Sequence, residues 1–188
     1  MLAALCLLMG VMYVYFAAPS DAAAADMAMR QGGPGGPVPV SPAVMEAMRA
    51  GDRQALRQLM RPQVRRSDAG VLVLEAKGVD PLVQMGTLAA LLTGEQYDVV
   101  VGGPRSGRQV AGNGEGGPWV VTLTDELPAA LTASTADQLA AVAVPWSQTE
   151  EFRGQAAPEA LADFLLALAE LARQALQASE RLYCWICL

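Results

Sequence analysis

Two short clusters of ionisable residues have the residue types and spacing that acid–base chemistry needs. Lys77, the only lysine in the chain, lies between Glu75 and Asp80, and a lysine amine with a shifted pKa can act as a base or nucleophile. Glu150 and Glu151 are adjacent, and two carboxylates can share acid and base roles if one is buried. The candidate catalytic residues are Lys77, Asp80, Glu150 and Glu151. Asp80 and Glu150 are also typical helix-start residues, which weighs against an enzyme.

A second set of candidates could bind a ligand without catalysis. The segment 102–117 is rich in glycine and contains Arg105 and Arg108. Guanidinium groups bind anions through charge-assisted hydrogen bonds, so these two arginines are candidate anion contacts. Trp119 and Trp146 are the other candidate ligand-binding residues, because large aromatic side chains commonly line binding pockets.

The same segment contains a glycine pattern that resembles a phosphate-binding motif. Gly112, Gly114 and Gly117 match G-x-G-x-x-G. The dinucleotide-binding form of this motif needs a helix after the last glycine, because the phosphates sit at that helix N-terminus. Pro118 and a strand-like WVVTL follow instead. The pattern therefore predicts a hairpin loop, and we expect no nucleotide cofactor.

The chain ends in a C-x-x-C pattern, Cys184 to Cys187. In a thioredoxin-type site the cysteine pair opens a helix that lowers the thiol pKa, but here no helix can follow. On a strand, residues three apart point to opposite faces. Cys6 is the only other cysteine, so no zinc set is complete. We interpret the two C-terminal cysteines as core residues.

Composition excludes several function classes. The chain has 188 residues and no histidine, which removes histidine-dependent triads and histidine-containing metal sites. It has 19 acidic and 13 basic residues, a balance that argues against nucleic-acid binding. Five arginines recur at every fourth position from 49 to 65, but Gly51 and Pro62 interrupt the stripe. We interpret this stripe as a solvated face and expect no metal.

The N-terminus has two interpretations. Residues 1–18 are uncharged, and small residues follow at 22–25, as in a signal peptide or short anchor, although no charged residue precedes the apolar run. Alternatively, residues 11–16 form a buried strand, and Ser20 caps a short helix that has Asp21 in its first turn. In the second interpretation Met9 is the start and residues 1–8 are an upstream extension of a single domain, 9–188.

Local signals predict the remaining elements. Helix starts are predicted at Pro42 after Ser41, after Asp52, at Pro81 after Asp80, after Thr124, after Ser134 or Thr135, at a capping box over 147–150, and near Pro158. The first two of these helices carry apolar faces made of Val44, Met45 and Met48 and of Leu56, Leu59 and Met60. Strands are predicted at 71–74, 97–101, 119–123 and 182–188. The Gly/Pro-rich residues 32–39 predict an irregular loop.

The clearest periodicity in the chain lies in residues 161–176. Leu161, Leu165, Leu168 and Leu171 fall on one face of a helix, and acidic and amide residues fall on the other. Together with the apolar residues 182–188, this pattern predicts an α+β domain in which a small mixed or antiparallel sheet is covered by several helices. The C-terminal helix packs on the core, and a buried terminal strand follows it.

Four stretches carry a resemblance to a known family. They are MGVMYVYFAAPSDAAAA from Met9, LEAKGVDPLVQMGTLAALLTG from Leu74, PWSQTEEFRG from Pro145, and the ending RLYCWICL. Together they resemble a family of uncharacterised actinobacterial cytoplasmic proteins. The early strand and the helix ending in Leu-Leu-Thr-Gly are more distantly similar to YfbM-like bacterial proteins of unknown function. The resemblance implies a start at Met9 and a cytoplasmic location.

The sequence does not specify an activity, a substrate or an oligomeric state. The first expectation is a non-catalytic cytoplasmic protein that binds a protein partner in a regulatory or immunity-like role. The alternative is a small-ligand-binding protein or hydrolase-like enzyme that uses Lys77, Asp80, Glu150 and Glu151. A second alternative is a protein secreted or anchored through residues 1–18. We expect no nucleic-acid partner and no membrane association.

Overall fold

A six-stranded antiparallel sheet lies at the centre of the computed structural model, which describes residues 11–37, 41–112 and 114–188. The strands are β1 (Met12–Ala18), β2 (Arg65–Arg66), β3 (Leu72–Lys77), β4 (Gln109–Gly112), β5 (Trp119–Thr122) and β6 (Arg181–Cys187). Their order across the sheet is β2-β3-β1-β6-β5-β4. The predicted α+β class, with a strand at the C-terminus, is confirmed.

Eight α-helices accompany this sheet within the described ranges. They are α1 (Asp21–Ala25), α2 (Pro42–Ala50), α3 (Arg53–Leu59), α4 (Val83–Thr93), α5 (Tyr97–Val101), α6 (Glu126–Ala133), α7 (Ala136–Ser147) and α8 (Pro158–Gln177). Short 3-10 turns occur at Gly33–Gly35, Gly114–Gly116 and Glu150–Phe152.

The two central strands come from opposite ends of the chain. β1 pairs with β3 on one side and with β6 on the other, and Tyr15 lies opposite Cys184. Tyr15 faces the larger core cluster, whereas its neighbours Val14 and Phe16 face the smaller one. Because both faces of β1 and β6 are covered, their sequences are mostly apolar and do not alternate with polar residues.

Helix α8 packs across one face of the sheet and confirms the predicted amphipathic helix. Leu165, Leu168 and Leu171 are fully buried, and the Phe164 ring meets the Tyr15 ring edge-on, with 5.7 Å between centroids. Helices α4, α6 and α7 complete this layer. Each of the larger buried side chains contributes roughly 1.5–3 kcal/mol to folding relative to its exposure to water.

The opposite face is covered by α1 and by the turn at Gly33–Gly35. The indole Nε1 of Trp185 donates to the Ala28 carbonyl at 3.1 Å, and the turn residues are buried against the sheet. The prediction of an irregular loop over 32–39 is therefore wrong at its beginning, and residues 38–40 lie outside the described residues. Gly33 packs closely on Trp185 because it lacks a Cβ atom.

Two predictions about local structure are also wrong. The β-branched segment 97–101 forms helix α5, because Val101 and Tyr97 pack closely over Gly86 of α4; tertiary packing here overrides strand propensity. Strand β5 forms its hairpin with β4. No capping box forms over 147–150, since α7 ends at Ser147 and Thr149 has no side-chain capping bond.

Four of the predicted helix starts are confirmed by side-chain hydrogen bonds. Ser20 accepts from the Ala23 amide at 3.2 Å, and Asp52 accepts from two amides of α3. Thr135 forms a complete capping box with Gln138. Asp80 accepts from the Leu82 amide at 2.8 Å. These bonds connect residues at most three positions apart, which explains why a local sequence pattern predicts them.

Candidate functional site

Asp80 and Glu151 line one pocket of about 410 Å³, together with Leu82, Val83 and Gln84. Asp80 positions the start of α4, because its Oδ1 accepts from the amides of Leu82 and Val83 at 2.8 and 2.9 Å. Two of the four predicted catalytic residues therefore share a pocket. Asp80 and Glu151 are far apart in the sequence. The helix-start signal at Asp80 is the only local sequence feature at this pocket.

A tyrosine stands beside the Asp80 carboxylate. The Tyr13 hydroxyl lies 3.4 Å from Asp80 Oδ2 and can donate to it. Burial raises the pKa of Tyr13 to about 12, and the negative charge of Asp80 adds to this rise. The phenol therefore stays protonated at neutral pH and is a hydrogen-bond donor rather than a base.

Lys77 lies on the other side of the sheet. In the β1–β3 ladder Lys77 pairs with Met12, whereas Tyr13, which contacts Asp80, pairs with Ala76. Successive residues of a strand face opposite sides, so the lysine faces away from the Asp80 carboxylate. Glu150 is exposed and does not line the pocket. The structure therefore brings Asp80 and Glu151 together but leaves Lys77 and Glu150 outside the pocket.

Arg105 and Arg108 converge on a carboxylate of the chain itself. Arg105 Nη1 lies 2.8 Å from Asp21 Oδ1, and Arg108 Nη2 pairs with Asp21 Oδ2. The Tyr183 hydroxyl donates to the same carboxylate at 2.9 Å. Arg105 Nε lies 3.0 Å from Asp125 Oδ1, and its side chain is only 8% exposed. The anion that these arginines meet is internal to the fold.

This ionic cluster attaches the start of α1 to the sheet. The Arg105 hydrogen bond is the main reason that the pKa of Asp21 falls to about 2, with Tyr183 and Arg108 contributing further hydrogen bonds. The Arg105 guanidinium also lies over the Tyr183 ring, 5.3 Å from its centroid. The sequence did not indicate Asp21 and Tyr183 as members of this cluster. Asp21 lies 84 positions from Arg105 and 162 positions from Tyr183, so no local pattern connects them.

The indole groups of the two candidate tryptophans hydrogen-bond to the backbone of the protein itself. Trp146 is 0% exposed, its Nε1 donates to the Gln84 carbonyl at 3.0 Å, and it packs against Phe152 and Phe164. Trp119 is half-buried on β5 and donates to the Gly114 carbonyl within its own hairpin at 3.1 Å. Trp146 therefore belongs to the core and presents no surface to a ligand.

The C-terminal cysteines point to opposite faces, as predicted. Cys184 is fully buried in the core beneath the helical layer, while Cys187 packs against the smaller cluster. Burial raises the pKa of the Cys184 thiol well above its usual range. Within the described residues, no group of three or more cysteine or acidic side chains is arranged to hold a metal ion.

Helices α2 and α3 form a surface that the sequence pattern did not predict. The sequence predicts an apolar face on each of these helices, but α3 buries no residue, and Ala47 is the only buried residue of α2. We call the exposed apolar residues of this pair the hairpin surface. They are Met45, Met48, Leu59 and Met60, with exposures between 40% and 60%.

Basic residues flank the hairpin surface. Residues 42–61 contain four arginines against one glutamate and one aspartate, although the whole chain has a net charge of −6. Arg61 makes an ion pair with Asp163 of α8 at 3.1 Å. The others in this group are Arg49, Arg53 and Arg57, which have no ion pair within the described part of the chain.

Comparison with known proteins provides no relative for this chain: no protein-family model, curated protein or solved structure matches it. None of the helices in the described ranges has the length and apolar character needed to cross a membrane.

Proposed function

We propose that the protein binds a protein partner through the hairpin surface and has a non-catalytic, regulatory or immunity-like role. The observation that supports this proposal is that α3 buries no residue while Met45, Met48, Leu59 and Met60 remain exposed. Methionine side chains are flexible and polarisable, and they are enriched at surfaces that adapt to a partner.

The charge distribution indicates the character of that partner. The hairpin is basic within an acidic protein, so an acidic partner surface with an apolar groove would complement it. Opposite charges accelerate encounter, whereas the apolar contacts supply most of the affinity. The helices would lie in the groove with Met45 and Met48, which are three residues apart on one side of α2, as anchors.

We also propose that the protein acts in the cytoplasm and that its N-terminal strand remains in the mature chain. Strand β1 pairs with both β3 and β6. Cleavage at the small residues 22–25 would remove this strand from the middle of the sheet. N-terminal sequencing of the protein from the soluble fraction of the native host tests this location. A chain that still contains residue 12 would support it, whereas a chain cleaved after residue 18 would contradict it.

The test of partner binding begins with capture from the native host and continues with the purified pair. Met48→Ser combined with Met60→Ser should weaken the affinity by about tenfold or more, because each removes an apolar anchor. The matched control replaces Met29 and Val144 with serine and should leave the affinity unchanged. These residues are also exposed, at 68% and 45%, but lie outside the hairpin.

Charge reversal provides an independent measurement. Arg53→Glu with Arg57→Glu should slow association and reduce its dependence on salt, because the electrostatic attraction is removed. Circular dichroism should show that all variants keep the wild-type fold. A captured partner whose affinity is the same for the hairpin and control variants would contradict the proposed function.

A further inference from the structure

A second group of exposed apolar side chains lies on α4 and at the start of α5. Val83 and Leu91, two steps of four residues apart, lie along one side of α4. Tyr97 of α5 packs over Gly86, which is three positions from Val83 and therefore its neighbour on the helix. We call this group the α4 surface. Its members are Leu82, Val83, Leu91 and Tyr97, with exposures between 39% and 43%.

The α4 surface is surrounded by acidic residues. Residues 78–104 contain Asp80, Glu95 and Asp98 and no lysine or arginine. Glu151 lines the same pocket as two members of this surface. Within the part of the chain that the structure describes, none of these four carboxylates takes part in an ion pair. The α4 surface thus combines exposed apolar side chains with a negative charge that the molecule itself does not neutralise.

The hairpin surface has the same apolar character and the opposite charge. It exposes four apolar side chains, and residues 42–61 contain four arginines against two acidic residues. Three of those arginines, Arg49, Arg53 and Arg57, have no ion pair among the described residues. Opposite charges steer two surfaces together, and apolar side chains buried between them supply most of the affinity. The α4 surface therefore has the chemistry that the hairpin surface requires of its partner.

Charge also disfavours the pairing of two identical surfaces. Two hairpin surfaces in contact would bring the arginines of both copies together, and two α4 surfaces would bring their carboxylates together. Like charges placed opposite each other across an interface are strongly unfavourable. The contact that charge favours joins the hairpin surface of one molecule to the α4 surface of another.

We propose that the hairpin surface of one copy binds the α4 surface of a second copy of this chain. The inference rests on the proposed function, because it uses the same binding surface, and it names the partner. Met45 and Met48 pack against Val83 and Tyr97 of the other copy, and the hairpin arginines face its carboxylates. Because the contact joins two different surfaces, association continues through the surfaces left free or closes into a ring.

Sedimentation velocity of the full-length protein tests for this association. The mean mass of the wild type should rise with protein concentration up to about 1 mM, the range of weak association. Added salt should lower the mean mass at a given concentration, because it screens the attraction between arginines and carboxylates.

Variants of the two surfaces identify the contact. Met48→Ser with Met60→Ser alters the hairpin surface, and Val83→Ser with Leu91→Ser alters the α4 surface. Each pair should weaken the association by about tenfold or more, because it removes apolar side chains from the interface.

Two further pairs complete the set. Glu95→Lys with Asp98→Lys changes only exposed side chains near the α4 surface and should also weaken the association. Met29→Ser with Val144→Ser is the matched control and should leave the association unchanged. Circular dichroism should show the wild-type fold for every variant.

Mixing the two apolar variants distinguishes this contact from all others. The hairpin variant keeps an intact α4 surface, and the α4 variant keeps an intact hairpin surface. An equimolar mixture therefore contains one complete contact for each unlike pair. Each variant alone should remain monomeric, whereas the mixture should form a dimer with the affinity of the wild-type contact and no larger assembly.

The proposal is overturned if the wild type stays monomeric up to about 1 mM. It is equally overturned if either apolar variant associates as the wild type does, or if their mixture stays monomeric. These failures are distinct from failure of the proposed function. A monomeric chain that binds another protein through Met48 and Met60 overturns only the assignment of a second copy as the partner.

A captured protein whose affinity is the same for the hairpin and control variants, found together with a wild type that stays monomeric, contradicts both.

Discussion

Gly33 packs directly against the indole of Trp185: a Cβ atom added at Gly33 would lie 2.6 Å from the ring atom Cδ2. The backbone of Gly33 also has a φ of +63°, in the left-handed region that favours glycine. The turn at Gly33–Gly35 is therefore part of the cover of the sheet, and it can approach Trp185 because no side chain lies between them.

Gly33→Ala should destabilise the protein by about 3 kcal/mol, because it adds an overpacked contact to the strain of a positive φ. The matched control is Gly94→Ala, where φ is +74° and nothing lies within 4 Å of the added atom. The free energy of unfolding of the control should fall by only about 1 kcal/mol. The two free energies of unfolding, measured in urea, give the cost of the Trp185 contact by difference. Equal losses would show that Trp185 moves aside without cost.

The ionic cluster at Asp21 should make stability depend on acidic pH. The pKa of Asp21 is about 2 in the folded protein, below the ordinary value of 3.8, mainly because Arg105 donates to it. A lowered folded-state pKa stabilises the protein above pH 3.8, and this contribution is lost as the pH falls toward 2. The Asp21 side chain is 34% exposed, so screening by solvent reduces the contribution to about 1 kcal/mol.

The measurement compares urea unfolding of wild type and Asp21→Asn at pH 6 and near pH 2, with the difference between them expected to shrink as the pH falls. Asp26→Asn, an exposed carboxylate near the end of the same helix with no ion pair in the described part of the chain, is the control. A constant difference between wild type and Asp21→Asn across this range would rule out the ionic contribution.

Tyr13 should make stability depend on alkaline pH. Its pKa is about 12 in the folded protein against 10 in the unfolded chain, because of burial and then the Asp80 charge. Above pH 10 the unfolded chain releases this proton first, so the free energy of unfolding should fall as the pH rises toward 12. Tyr13→Phe should have a flatter profile than wild type between pH 9 and 11.5. Parallel profiles for the two proteins would contradict this prediction.

Cys184 should be unreactive in the folded protein, because it is fully buried and burial raises its thiol pKa. The variant Cys6→Ser/Cys187→Ser isolates this thiol. With a colour-forming disulfide reagent, we expect no reaction under native conditions and one equivalent after unfolding. Rapid stoichiometric reaction under native conditions would show that the cysteine is accessible and would revive a redox interpretation of C-x-x-C.

Local hydrogen bonds and periodicity are the parts of this fold that the sequence predicts. The caps at Ser20, Asp52 and Thr135 depend on residues two or three positions apart. The C-terminal helix α8 was predicted because its apolar residues recur at the helical period over 20 residues. Helix α5 was mistaken for a strand, since five residues rich in valine favour a strand until α4 packs against them.

The candidate sites depend on residues that are distant in the sequence. The sequence identified Asp80 and Glu151 as candidates, but it grouped them with Lys77, which the pleat of β3 directs to the opposite face. It identified Arg105 as an anion contact without indicating that Asp21 is the anion. The sequence also did not indicate that Met45 and Met48 are exposed, because periodicity shows which side of a helix is apolar and not whether another element covers that side.

By itself, then, the amino-acid sequence determined where most helices begin, which faces of helices are apolar, and that no histidine chemistry is possible. Only the tertiary structure decided that β1 and β6 lie side by side at the centre of the sheet, and that Asp80 and Glu151 share a pocket. The physical reason is the distance along the sequence over which each interaction acts. Capping bonds and the helical period act over a few residues, whereas strand pairing and ion pairing join residues that only the closed chain brings into contact.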